Sequence, residues 1–505
     1  MNITRRSVMV QGGVMGAAVI ASNLPAASIV ARAAGLPQRV SLQGLDWKDP
    51  PIAGYIDGVR LLKAAAPSET FSWINLSLIH GNYDPQTGRG GYNYCPHGNW
   101  YFLPWHRAYL VTYERSIRQL ISSPDWALPY WDWTNEPVMP EFFTSPTLPD
   151  GSTNPLYVDE EGVTRTWPSD EPMPDDEVGQ AVYDKIMSQS PFEVFGTSRP
   201  AYPRPQNTLN PKWIKNGSGT QGELEGNPHN NVHNNIGGWM PSPSSPRDPI
   251  FFMHHSNIDR IWATWNLDHH NSPNKLWLDM PFNDNFYNPD GSFWSPKVSD
   301  LLSTDTLGYS YGLTASAIAA KRVLPLDVKL ADFFANPHAK QKDVAVFKKG
   351  RAAPAATENG VALSVAVGAQ LMGAVAKRKP VNGLLAGPVG PKTSVFCFLR
   401  DVEATDVSTT RYRVFIAGDG IGPDTPTTDP HYVGMFGIFD HSMGMEDEPH
   451  KPSFSVNLTE AVARVYGDKP APSHLGVQVV PVPDRPGQKA GTVTVGSTDI
   501  VFITA

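Results

Sequence analysis

The chemistry of this chain concentrates at its histidines. Of 14, seven fall in two groups: His80, His97 and His106, then His229, His233, His254 and His255. A core histidine usually occurs singly, so two groups at ligand-like spacing point to metal. His229 and His233 stand four apart, so on a helix they leave one face and can share an ion. The segment reads Asn227-Pro228-His229-Asn230-Asn231-Val232-His233. No Glu follows His229, which excludes the HExxH zinc-protease motif. Neighbours on a helix point about 100° apart, so only one of His254 and His255 can readily join His229 and His233. Imidazole triads without thiolate or carboxylate suit copper or zinc. Dinuclear zinc hydrolases usually need bridging carboxylates that neither group supplies, so copper is the better fit.

Two such triads, each from a helix pair, call for a four-helix bundle around a dinuclear centre. Hydrophobic periodicity supplies helices at 56–65, 70–80, 105–121, 178–188 and 251–267. The long loops at 137–174 and 191–224 are of a length that usually serves a site. After about residue 320 the texture changes to short β-branched or aromatic runs at 361–367, 394–402, 411–416, 453–458, 475–482 and 492–503, separated by Gly, Pro and Asp. The expected architecture is a mainly α domain at 36–315, a linker at 316–350 and an all-β, sandwich-like domain at 351–505.

Phe102-Leu103-Pro104-Trp105-His106-Arg107, and Asp248-Pro249-Ile250-Phe251 with His254-His255 and Asp259-Arg260, resemble the two copper motifs of type 3 copper proteins. That family comprises tyrosinases, catechol oxidases and molluscan hemocyanins. The chain looks most like exported bacterial tyrosinases that carry a C-terminal β domain. The resemblance implies that His80, His97 and His106 hold one copper and His229, His233 and His255 the other. His254, Phe251 and Asp259 would stand behind those ligands, and Tyr309-Ser310-Tyr311 would close the catalytic domain. It further implies two copper ions, O2 as co-substrate, and ortho-hydroxylation of monophenols with oxidation of o-diphenols to o-quinones. Tyrosine, tyramine and catechols are the expected substrates, and melanin a possible end product. Catechol oxidase or o-aminophenol oxidase activity without monophenol hydroxylation is the alternative, and a hemocyanin-like oxygen carrier a third reading.

The same resemblance assigns finer roles. Glu225 and Asn230 match a Glu and an Asn proposed to hold a water that deprotonates an incoming phenol. A phenol of pKa near 10 needs such a base at neutral pH; Glu223 competes at a worse spacing. Cys95 has the Cys-x-His spacing of a thioether to His97, against a free thiol or a disulfide to Cys397. The loop Met240–Ser245 lines the substrate entrance and carries no shielding Phe. In related enzymes a C-terminal domain packs over the site, sometimes inserting a side chain; Asp440–Asp447 is the candidate loop.

Composition sets the frame. The 505 residues carry 41 basic and 49 acidic side chains, net −8, against a nucleic-acid binder. Arg5-Arg6 ahead of an apolar stretch and Ala31-Arg32-Ala33 read as a twin-arginine signal peptide over 1–33, giving a periplasmic or secreted protein. No other stretch is long and apolar enough to span a membrane. The oligomeric state is open.

Overall fold

The structure is a computed structural model describing residues 35–81, 95–160, 162–199, 219–313, 333, 343–349, 360–376, 393–439, 451–467 and 469–504. The proposed signal segment, most of the linker, and the 440–447 loop lie outside the described residues.

Helix α1 (Pro50–Ala64) opens on proline, whose missing N–H costs nothing in a first turn. Helix α2 (Trp73–Leu78) is capped by Ser72, whose hydroxyl accepts from the Asn75 N–H at 3.1 Å. Helix α3 (Phe102–Leu120) is buried along nearly its whole length. Helices α4 (Gln180–Met187), α5 (Asn230–Ile236) and α6 (Ile250–Trp265) follow. Residues from Leu42 to Tyr311 form one continuous apolar core around α3 and α6.

A charged cluster locks that core. Asp259 on α6 pairs with Arg107 of α3 at 2.5 Å and with Arg39 at 3.1 Å, and accepts from the Tyr309 and Tyr311 hydroxyls at 2.7 and 2.6 Å. Arg39 also pairs with Glu114 at 2.7 Å. Asp259, placed by the resemblance behind the metal ligands, is thus a structural partner of Arg107 with its oxygens consumed by this cluster, while Arg260 turns to Asp132.

The β part forms two sheets. Strand β1 (Thr220–Gln221) comes from the helical half. It is followed by β2 (Val344–Lys349), β3 (Val361–Ala366), β4 (Thr393–Ala404), β5 (Thr410–Ile416), β6 (Tyr432–Phe436), β7 (Ser453–Asn457), β8 (His474–Pro483) and β9 (Val493–Thr504). The sheet orders are β1-β7-β4-β9-β2 and β3-β8-β5-β6. Strand β3 alternates buried Val361, Leu363 and Val365 with exposed neighbours, the pattern of a sheet covered on one face. Strand β2 lies in the stretch read as linker: it pairs antiparallel with β9, so residues 344–349 are sheet. Helices at Ala369–Ala376 and Thr459–Tyr466 also sit in the part read as all-β. No helix among the described residues is long and apolar enough to cross a membrane.

The two parts share a seam. Strand β1 runs parallel to β7, with Thr220 opposite Ser453 and Gln221 opposite Phe454. Val194 of the helical part joins Phe396, Phe398, Val501 and Ile503 in one apolar cluster.

Burial works to raise the Asp259 pKa, but Arg107 and Arg39 outweigh it and hold the carboxyl below its ordinary 3.8. A depressed carboxylate pKa gives stability that is full above the unfolded value and is lost as pH falls through the folded one. Asp259→Asn should therefore cost about 3–5 kcal/mol at neutral pH, because two buried guanidiniums lose a partner. The penalty should shrink below pH of about 4, read as thermal unfolding of the full chain against pH.

Candidate metal centre

Each sequence-predicted histidine is delivered by a different local device. His80 follows the last turn of α2, His97 sits in the loop before α3, and His106 projects from α3. His229 closes the wide turn Glu225–His229, and His233 lies one turn into α5. His254 and His255 lie on α6. All seven are buried.

The two groups face each other. Ring centroids of His106 and His255 are 4.3 Å apart and stacked, and those of His97 and His229 5.4 Å. Within the first group His80, His97 and His106 lie 5.3–5.7 Å apart. Within the second, His229, His233 and His255 lie 4.6–5.3 Å apart.

Hydrogen bonds to oxygen select the nitrogen that four of the rings offer. A carbonyl only accepts, so a ring nitrogen against one must carry the proton, and the other nitrogen then holds the lone pair. His80 Nδ1 donates to Pro243 O at 2.9 Å, His106 Nδ1 to Phe102 O at 2.8 Å, and His233 Nδ1 to Met240 O at 2.7 Å. His229 Nδ1 donates to Asn230 Oδ1 at 2.9 Å. Burial pushes His80 down to about 4 and His229 to about 3, and holds His106, His233 and His255 well below the ordinary value. These five imidazoles are neutral at pH 7, as metal ligation requires.

His254 differs. Its Nδ1 accepts from Trp133 Nε1–H at 3.2 Å, so its proton is on Nε2 and no lone pair is left for a metal. His255 Nε2 instead converges on His233 Nε2 at 3.1 Å. Phe251 packs on His255 at 4.2 Å and on His80 at 5.2 Å.

The loop at 240–245, expected to line an entrance, supports the rings from behind. Its Met240 and Pro243 carbonyls hold one histidine of each group. Nothing in its sequence signals this, because backbone carbonyls carry no residue code.

Cys95 Sγ lies 3.1 and 3.6 Å from the two ring nitrogens of His97 and 3.2 Å from His106 Nε2. Cys95 and Cys397 are both free thiols, so no disulfide joins them. Glu225 is fully buried; its oxygens accept from the Gly98 N–H at 2.7 Å and from the Thr197 hydroxyl. Burial raises its carboxyl to about 8. Glu223 instead pairs with Lys185 at 2.7 Å, on the seam. Asn230 donates to Gln221 Oε1 and to Gly437 O, each at 2.8 Å.

A side chain from the β part covers the rings. Phe439 lies 5.0 Å from His97, 4.7 Å from His233 and 6.1 Å from His229, ring to ring. It immediately precedes the loop expected to do this. The remaining described histidines are peripheral: His269 stacks on Trp265 and His431 pairs with Asp429. His338 lies outside the described residues.

Buried imidazoles in two facing groups, four of them with a defined lone pair, fit a pair of copper ions. His255→Ala should leave about one copper per chain and His254→Ala about two, counted by metal analysis after dialysis against a mild chelator. Equal loss in both would overturn the tautomer assignment.

The family model "Common central domain of tyrosinase" matches residues 70–268. Tyrosinase HcTyr1 of Hahella sp. (strain CCB-MM4) is 28% identical over 339 residues, 56% of this chain and 66% of that protein. The chloroplastic polyphenol oxidase of Vitis vinifera is 32% identical over 291 residues, 52% of this chain and 45% of that one. The chain thus spans at most about two thirds of these relatives. Among solved structures, latent apple tyrosinase superposes with a TM-score of 0.60 at 22% identity, covering 93% of this chain and 97% of that one. A latent aurone synthase gives 0.59 at 20% identity, covering 93% and 89%. Both solved structures share the fold of the helical and the β part together.

Proposed function

We propose, from the match of residues 70–268 to the common central domain of tyrosinase, that the protein is a tyrosinase. It ortho-hydroxylates monophenols and oxidises o-diphenols to o-quinones with O2. The observation that carries this reading is the pair of facing groups of neutral imidazoles, with a buried carboxylate of raised proton affinity beside them. His80, His97 and His106 would hold one copper and His229, His233 and His255 the other, in a helical bundle built on α2, α3, α5 and α6. Bound copper would supply O2 binding and electron transfer.

The chain's own residues handle the proton and the substrate. A phenol must lose its proton to become a good ligand, and burial that raises the Glu225 carboxyl to about 8 makes its ionised form a stronger acceptor than an exposed carboxylate, although the group is mostly protonated at pH 7. Glu225 is therefore the base, acting through a water held with Asn230. Phe251 fixes the tilt of His80 and His255. Phe439 occupies the space over the rings, so the full chain is a latent form that needs its β domain displaced. Residues 1–33 direct twin-arginine export, and melanin-type pigment is one fate for the quinone.

Cys95 sulfur facing the ring edge between both nitrogens of His97 supports a thioether at Cε1. Closing that bond removes the thiol hydrogen and the Cε1 hydrogen, with O2 accepting the electrons. Peptide mass spectrometry should show residues 95 and 97 joined with two hydrogens lost; an alkylatable Cys95 in copper-matured protein counts against it.

One observation favours the narrower catechol oxidase reading: both Glu225 oxygens and both Asn230 amide hydrogens are engaged by protein groups. Oxygen uptake separates the two readings. Copper-loaded chain, loosened by sub-denaturing urea, should consume O2 with catechol and with tyramine. Glu225→Gln should lower the tyramine rate on the order of 100-fold and the catechol rate far less. Uptake with catechol alone in the unaltered protein would leave the catechol oxidase reading standing.

A further inference from the structure

Asn230 follows the ligand His229, and its amide is saturated. Its Oδ1 accepts from His229 Nδ1–H, one N–H goes to Gln221 Oε1, and the other goes to the Gly437 carbonyl. Because a backbone carbonyl only accepts, Gly437 also fixes which end of the amide is nitrogen. Gly437 belongs to the β domain, just beyond β6, and its own N–H donates to Gly226 O at 2.9 Å. Only glycine permits this approach: a Cβ there would stand 2.1 Å from Asn231 Oδ1 and 3.3 Å from Asn230 Cβ.

The whole of α5 is read in this way. Asn231 donates to Met435 Sδ at 3.4 Å, Asn234 to Ile438 O at 2.9 Å and to Val407 O at 3.3 Å, and Asn235 accepts from Arg411. The β-domain segment 435–439 therefore runs along the helix that carries His233, touching asparagine after asparagine before placing Phe439 over the rings.

We propose that the Gly437 carbonyl is a second, chemically distinct lock: it captures the Asn230 amide, so that the docked β domain withholds monophenol hydroxylation even when the ring of Phe439 is absent. This rests on the reading of Asn230 as the partner of Glu225. When the 435–439 segment lifts, Asn230 keeps its bond to His229, which lies in the catalytic domain. The N–H released from Gly437 is then left in a buried polar site, where an unsatisfied donor is costly and takes up water. That water is what a monophenol needs for proton transfer. An o-diphenol brings a second hydroxyl of its own and depends on it less. Phe439 blocks both substrates by bulk; Gly437 blocks one by chemistry.

Two measurements on the full chain test this. Copper-loaded Phe439→Ala should oxidise catechol, with a tyramine-to-catechol rate ratio on the order of 100-fold below that of Phe439→Ala/Gly437→Ala, whose added methyl pushes the segment off Asn230. Equal ratios in the two proteins overturn the proposal. If the double variant turns over catechol and never tyramine, the Glu225–Asn230 reading beneath it falls as well. The second measurement needs no copper, and its wild-type arm leaves the seam unaltered. In metal-free chain labelled with amide-¹⁵N asparagine, the Asn230 side-chain signal is assigned by its loss in Asn230→Asp. Its hydrogens should exchange slowly in wild type and in Phe439→Ala, and at least about tenfold faster in the double variant if that folds. Fast exchange in the wild type overturns the capture.

Discussion

The constraint on which this structure depends is the burial of seven imidazoles in one place. A buried polar atom without a partner costs about 1–3 kcal/mol, and a buried imidazolium more, so the rings are neutral and each needs a defined proton. For four of the rings the fold meets that need with oxygens. Phe102, Met240 and Pro243 lend backbone carbonyls, and Asn230 lends its side-chain oxygen. Each bond sets a tautomer and aims a lone pair inward. His229 Nε2 is left buried with no hydrogen-bond partner among the described residues, a cost that a metal ion removes. Much of the molecule serves this arrangement: the Arg39–Asp259–Arg107 cluster fixes α3 against α6, and with it His106 against His255.

The β domain is part of that arrangement rather than an appendage. It takes a strand from the catalytic part, donates a carbonyl to Asn230, and places Phe439 on the rings. Its contacts with α5 are mostly amide to backbone. Such a seam is specific yet leaves groups that water can satisfy after separation, unlike an apolar interface. A buried Arg411–Glu177–Asn235 group anchors its far end. This polarity suits the docking and release proposed for the domain.

The helices at α3 and α6 were legible to within a few residues because long apolar periodicity survives any tertiary context. The strands β3 to β5 and β7 to β9 were equally legible from β-branched runs between turn residues. Strand β2 was not, because Val344–Lys349 ends in Lys348-Lys349 and reads as solvated chain; only pairing with β9 makes it sheet. Strand β1 was invisible for a stronger reason: two residues carry no pattern, and their partner lies more than 200 positions away. At the site, the choice of His255 over His254 followed from resemblance alone. Both rings are buried beside His233, and the Trp133 hydrogen bond is what distinguishes them.

The sequence by itself determined which side chains carry the chemistry, because metal affinity is a property of residue type and short-range spacing. It also determined the change from helical to β texture. Tertiary structure alone decided how the two histidine groups face each other, which nitrogen each ring offers, what holds Asp259 and Asn230, and which β-domain residue covers the centre. Those are properties of backbone carbonyls and of contacts between distant segments, and neither leaves a mark on the order of residues along the chain.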